Sequence, residues 1–251
     1  MDSGPEGEPQ GRQGSLELAG LTDTGRARSV NEDSWTRADI GAVTLIVVAD
    51  GMGGHQAGEV ASGLAVQQIP KAYAEAAGDP PARLARAFEV ANRAVHEHSR
   101  RRPDARGMGT TVTAAVLDGP NLVIGHAGDS RAYLWREGAL RQLTRDHSWV
   151  AERVRSGVLS EEEARTHRWR SVITNALGSF PRVRLDLFGL TLQAGDTLLL
   201  CSDGLDAVLN DEEIAAVLER TAPQPAENAA RELVRLANEG GGPDNITVAL
   251  V

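Results

Sequence analysis

The sequence predicts an α+β fold in which paired helices flank antiparallel strands. Three observations carry this reading: short apolar, β-branched runs recur along the chain, tight turn signals join several of them, and longer stretches with helical periodicity come in pairs. With 251 residues, 41% of them hydrophobic, the chain can bury one substantial core, so a single domain over 15–251 is expected.

Residues 1–14 hold Gly, Pro, Gln and Glu and no apolar side chain after Met1, so burial cannot offset the entropy of ordering them; a disordered tail is predicted. Strand-type runs then fall at 16–21, 43–49, 111–117, 122–126 and 131–135, with Asp118-Gly119-Pro120 and Glu137-Gly138 as turns. Later runs at 183–192, 197–201 and 246–251 complete the strands. Two helices are expected between the second and third runs, the clearer one placing Leu84, Phe88, Ala91 and Val95 on one face. Asn210 and Glu213 form a capping pair ahead of Ile214, Val217 and Leu218, and a last helix over about 226–238 ends at Gly240-Gly241-Gly242. Between about 148 and 170 the chain is charged and has few apolar anchors, with Ser160 and Glu163 as a second capping pair; a mobile flap is expected there.

Composition excludes several functions. A net charge of −9 and a pI near 5.2 disfavour a nucleic-acid partner. Cys201 is the only cysteine, so disulfides and Cys-based zinc or iron–sulfur sites cannot form within the chain; it reads as core, in a reducing cytoplasm. The longest apolar run, 42–49, is too short to cross a bilayer, and acidic Asp2, Glu6 and Glu8 argue against a secretory leader. Lys71 is the single lysine and lies outside any phosphate-loop context. His96 and His98 are expected to face solvent. Trp35, Trp135, Trp149 and Trp169 are too scattered to suggest a stacking platform.

The chemistry concentrates at strand ends. Asp50 follows Val47-Val48-Ala49 and precedes Gly51; Asp203 follows Leu199-Leu200-Cys201-Ser202 and precedes Gly204; Asp244 precedes the last strand. Asn31-Glu32-Asp33 and Gly128-Asp129-Ser130 add carboxylates on neighbouring turns. Any one Asp-Gly is ordinarily turn chemistry. Several acids brought together repel unless cations intervene, and oxygen ligands without a Cys or His cluster select magnesium or manganese.

Longer motifs enclose these acids: Thr24-Gly25-Arg26-Ala27-Arg28-Ser29-Val30-Asn31-Glu32-Asp33, Val48-Ala49-Asp50-Gly51-Met52-Gly53-Gly54-His55, Gly109-Thr110-Thr111, and Gly128-Asp129-Ser130-Arg131-Ala132-Tyr133. Leu143-Thr144-Arg145-Asp146-His147, Ile173-Thr174-Asn175-Ala176-Leu177-Gly178, Leu200-Cys201-Ser202-Asp203-Gly204 and Gly242-Pro243-Asp244-Asn245-Ile246-Thr247-Val248 follow in order. Together they resemble the metal-dependent protein phosphatase family, type 2C, in its compact bacterial branch. The resemblance implies a four-layer α-β-β-α sandwich with two central antiparallel sheets flanked by helix pairs. It implies that Asp50 bridges two metal ions, that the Gly51 carbonyl binds one and Asp203 and Asp244 the other, and that Asp129 helps Asp203 hold a third, weaker ion beneath the flap. Glu32 and Asp33 would act mostly through water, Asn245 would support Asp244, and Arg28 would grip two oxygens of the substrate phosphoryl group.

The implied cofactors are Mn2+ or Mg2+. The implied reaction is hydrolysis of phosphoserine and phosphothreonine by a metal-activated water attacking phosphorus in line. Phosphorylated proteins, Ser/Thr kinases among them, are the implied partners of a monomer, without nucleic acid or membrane. The sequence also departs from the family pattern. Met52 stands where many eukaryotic members carry a histidine proposed as general acid, leaving water or His55 for that role. Asn175 replaces an arginine associated with its segment, and the protein is expected to end with the catalytic domain, lacking the membrane anchor some bacterial relatives append. A cysteine-dependent phosphatase would need an arginine where Ala207 stands, and a haloacid-dehalogenase-type enzyme a second Asp where Met52 stands. A catalytically silent phosphoprotein-binding relative and a small-molecule phosphatase remain as alternatives.

Overall fold

The computed structural model describes residues 16–54, 57–222 and 224–251; the expected tail at 1–14 and His55 lie outside the described residues. The first half runs β1 (Ala19–Asp23), β2 (Asp33–Ile40), β3 (Val43–Met52), α1 (Ala57–Glu75), α2 (Pro80–Arg101), β4 (Gly109–Thr110), β5 (Val112–Asp118) and β6 (Asn121–Ala127). The second half runs β7 (Arg131–Arg136), β8 (Ala139–Gln142), α3 (Trp149–Arg155), α4 (Glu161–Thr166), β9 (Asp186–Thr191), β10 (Thr197–Cys201), α5 (Asp203–Asp206), α6 (Asp211–Thr221), α7 (Ala226–Glu239) and β11 (Ile246–Leu250).

The strands pair antiparallel in two sheets, one ordered β1-β11-β10-β7-β8 and the other β2-β3-β5-β6-β9, with β4 pairing the end of β3. The period-two alternation of β3 divides its side chains between two cores. Leu45, Val47 and Ala49 pack with Ile69 and Tyr73 of α1 and Leu84 and Phe88 of α2. Ile46 and Val48 point the other way, onto Leu198, Leu200, Ala132 and Ala249 of the facing sheet. Strand β10 repeats the device: Leu199 and Cys201 meet Ile214, Val217 and Leu233 of α6 and α7. The layers are therefore helices, sheet, sheet, helices, as the resemblance implied.

Local chemistry sets the element ends. Asp79 caps α2, accepting from Ala82 N at 3.0 Å ahead of Pro80 and Pro81. The reciprocal Asn210/Glu213 and Ser160/Glu163 capping boxes both form. Glu137 (φ 50°) and Gly138 (φ 82°) make the two-residue turn between β7 and β8, whose positive dihedrals match strand twist. The sequence reading missed β2 and β8, edge strands whose alternate positions are half-buried at best after the first residue of β2, so neither shows a continuous apolar run. Strands β1 and β9 begin three residues later than expected.

Two further expectations are corrected. His96 turns inward, its Nδ1 donating to Gly178 O at 2.9 Å. Trp149 and Trp169, twenty positions apart in sequence, meet across the flap because α4 folds back towards α3.

Candidate metal centre

The acids predicted at strand ends converge at one end of the sandwich, drawn from both sheets. Asp33 and Asp50 stand directly opposite each other in the β2–β3 register, in one sheet. Asp203 follows β10 and Asp244 precedes β11, in the other. Asp129 lies in the turn from β6 to β7.

Close backbone approach explains the glycines that follow two of these acids. A Cβ on Gly51 would lie 2.0 Å from Gly58 O, and one on Gly204 2.0 Å from Asn245 O. Gly51 thus lets the end of β3 seat under the first turn of α1, and Gly204 lets α5 press on the loop that carries Asp244. The backbone of Asp50 is tied to the Gly109-Thr110-Thr111 segment: its amide donates to Thr111 Oγ1 at 3.0 Å, and its carbonyl accepts from Thr110 Oγ1 and Thr111 N at 2.8 and 2.9 Å.

Asn245 binds the Arg28 loop to the Asp244 loop. Its Oδ1 accepts from Glu32 N at 2.8 Å, and its Nδ2 donates to Thr24 O and Val30 O at 2.9 and 3.0 Å. Asp33 is locked across the sandwich, accepting from Ser202 Oγ at 2.6 Å. Arg28 Nη2 donates to Asp244 Oδ2 at 2.8 Å, while Asp244 Oδ1 accepts from Asn245 N at 2.9 Å.

Electrostatics mark the cluster as incomplete. Burial, then repulsion from Asp33, Asp203, Asp129 and Asp244, pushes Asp50 well above the usual carboxylate range. Burial raises Asp33 to about 7 against the lowering bonds from Ser202 and Thr247, and raises Asp203 to about 6, with Asp244 adding to the shift. Asp129 is likewise raised by burial and by Asp203. Among the described residues, Glu32 Oε1, Asp33 Oδ1, Asp203 Oδ1 and Asp206 Oδ1 are buried without a hydrogen-bond partner. Unpartnered buried carboxylate oxygens that repel one another fit hard divalent cations. Among the described residues no three acidic, histidine or cysteine side chains are grouped as they would be around a bound ion, and Asp244 is turned towards Arg28.

Of the residues singled out in the sequence, Arg28, Glu32, Asp33, Asp50, Gly51, Asp203, Asp244 and Asn245 come together, and Asp129 joins them beside Asp203. Sequence reasoning assigned no role to Asp206 or to Arg131. Asp206, raised by burial to about 8 against the pull of Arg131, follows Asp203 at i+3 on α5, a spacing that could have flagged it. Arg131 Nη1 meets Asp206 Oδ2 at 3.0 Å and its Nη2 meets Asp146 Oδ2 at 2.7 Å. Met52, opposite Gly109 in the β3–β4 pair, brings no titratable group to the site.

Asn175 points into the protein. Its amide donates to His147 Nδ1 and Arg184 O at 3.0 and 2.8 Å, and its Oδ1 accepts from Arg184 N at 3.0 Å. His147 Nδ1 also accepts from Gly128 N at 3.1 Å, which puts the ring proton on Nε2, facing Asp186 Oδ2 at 3.2 Å. Its own amide donates to Gly128 O at 2.7 Å, so His147 clamps the turn that carries Asp129. Burial holds His147 below the ordinary histidine range, keeping this acceptor available.

Comparison with known proteins agrees with this geometry. A sequence profile of the protein phosphatase 2C family matches residues 24–237. The chain is 39% identical over 244 residues to the serine/threonine phosphatase stp of Listeria monocytogenes, an alignment covering 92% of this chain and 93% of that protein. It is 42% identical over 236 residues to the serine/threonine protein phosphatase PstP of Mycobacterium tuberculosis, covering 94% of this chain and 44% of that longer protein. The structure also superposes on the catalytic domain of a serine/threonine protein phosphatase PstP in complex with two manganese ions, with a TM-score of 0.83 and 39% identity, covering 93% of this chain and 96% of that one. The chain belongs to the protein phosphatase 2C family of metal-dependent serine/threonine phosphatases.

Proposed function

We propose that residues 15–251 form one catalytic domain that hydrolyses phosphoserine and phosphothreonine on proteins, opposing Ser/Thr kinases. The observation that carries this is the set of unpartnered buried carboxylate oxygens gathered beside the half-exposed guanidinium of Arg28. Asp50, the Gly51 carbonyl, Asp203 and Asp244 would hold two core ions, Mn2+ or Mg2+. Asp129 with Asp203 would hold a third, weaker one, with Glu32, Asp33 and Asn245 supporting from behind. Bound divalent cations supply positive charge for the phosphoryl oxygens and lower the pKa of water.

The chain's own residues bind and orient. Arg28 presents a planar donor to two phosphoryl oxygens, and its bond to Asp244 sets the guanidinium before substrate arrives. In-line attack of water forms one P–O bond as the ester P–O bond breaks, and the departing seryl or threonyl oxygen takes its proton from water or from His55, since Met52 cannot donate one. The partners are phosphorylated proteins, including Ser/Thr kinases, acted on by a cytoplasmic monomer that needs neither nucleic acid nor membrane. Among the described residues no helix is long and apolar enough to cross a membrane.

The test is hydrolysis of p-nitrophenyl phosphate by the purified protein with manganese, magnesium or EDTA, run beside Asp203→Ala, followed by phosphopeptides against metabolite phosphates. Activity that needs the metal, disappears in the variant and favours phosphopeptides is expected. A metal-loaded protein without turnover is a silent phosphoprotein binder, and a metabolite preference makes it a small-molecule phosphatase.

A further inference from the structure

The flap is built differently from the rest of the molecule. Among the described residues 148–170, Val150 is the one buried apolar side chain. An aromatic cluster takes the place of a core. Trp149 at the start of α3 stacks on His167 beyond α4, with centroids 4.9 Å apart and planes 21° apart, and meets Trp169 edge-on at 4.6 Å.

Two guanidinium groups lie over these rings. Arg153 Cζ lies 5.1 Å from the centroid of Trp149, and Arg168 Cζ 4.7 Å from that of Trp169. Neither arginine has a carboxylate partner among the described residues, as Arg131 and Arg136 do, so both charges are free to meet an anion from outside. Two acids of the flap are engaged elsewhere: Glu152 accepts from Thr174 Oγ1, and Glu163 closes the capping box with Ser160. Trp169 remains 41% exposed. Between positions 141 and 186 nine arginines face six acidic residues, a positive surplus within a chain of net charge −9. The flap joins the rest of the domain at His147, which clamps the turn carrying Asp129.

We propose that Arg153, Arg168 and Trp169 form an accessory docking patch for an acidic stretch of the substrate polypeptide, carboxylates or further phosphoryl groups flanking the scissile phosphate. The proposal rests on the phosphoprotein phosphatase reading above. Charge complementarity selects the occupant: a guanidinium lying on an indole face keeps its N–H edge for an anion, and the indole packs against the peptide backbone. The acidic remainder of the molecule repels a long polyanion, so a short acidic segment fits where a nucleic acid does not.

Two measurements test this. In the first, matched phosphothreonine decapeptides with neutral or Asp/Glu-rich flanks are compared on the wild type and on Arg153→Ala/Arg168→Ala, which keeps the aromatic cluster, with p-nitrophenyl phosphate as control. Expected is an acidic-flank preference of about tenfold in kcat/KM at low salt that salt erodes and the double variant abolishes, with p-nitrophenyl phosphate unchanged. In the second, an unphosphorylated acidic decapeptide is titrated against tryptophan fluorescence, which should shift in the wild type and stay flat in Trp169→Ala. Equal turnover of both peptides, a preference that survives in the double variant, or a fluorescence response to anionic phospholipid vesicles but not to the peptide would overturn the proposal. A fluorescence shift without turnover of any phosphate would sink the phosphatase reading and leave the docking patch standing.

Discussion

At the residue scale, the raised carboxylates make opposite predictions for stability and for activity. Asp203 sits near 6 in the folded protein through burial and the charge of Asp244. A carboxyl whose folded pKa exceeds its unfolded value opposes folding once ionised, so the penalty is full above the folded pKa and fades as pH falls towards about 4. Asp203→Asn should therefore raise the melting temperature in EDTA by a few degrees at pH 8, with the gain vanishing near pH 4, while abolishing metal-dependent turnover. Thermal melts of both proteins across that range check it; a lowered melting temperature at pH 8 would falsify the repulsion account. Arg28→Lys keeps the charge and loses the fork, so kcat/KM on a phosphopeptide should fall about 10- to 100-fold, read from initial rates at saturating manganese. The acids were legible in sequence because each falls where an apolar strand meets a glycine or a turn. Asp206 was legible only through its i+3 spacing from Asp203, and Arg131 not at all, because its significance is an ion pair with Asp206 that exists only in the folded chain.

At the scale of elements, β3, β10 and β11 could be read directly, since burial on both faces leaves long apolar runs. Strand β2 was hidden by its position at a sheet edge. Helix α1 gave a weak pattern because much of its buried face is Ala57, Gly58, Ala61, Ser62 and Ala65, small residues that let it lie close to β3. The contact of α5 with the Asp244 loop gives an element-level test. In Gly204→Ala the new methyl meets a backbone carbonyl that cannot swing aside, so about 1–3 kcal/mol of stability and part of the manganese affinity should be lost together. Urea melts and calorimetric titration report the two quantities, and an unchanged manganese affinity would separate the loop from the site.

At the scale of the whole molecule, the layered architecture was legible once the motifs had been read in order, but the interior of the flap was not. No periodicity in the segment announces that Trp149, His167 and Trp169 assemble, because the pairing follows from α4 folding back. The flap's thin core predicts that limited proteolysis of the described region cuts first between Ser148 and Arg170; protection there would mean that the aromatic cluster is rigid enough to serve as a core.

The convergence of acids from both sheets bears on the sandwich as a whole. Asp33 and Asp50 belong to one sheet, Asp203 and Asp244 to strand ends of the other, so a cation held by them as proposed would act as a removable rivet between the two halves. Manganese should then raise the melting temperature further with each increment of free ion, and a cell short of divalent metal would hold a population that opens more often and is cleared faster.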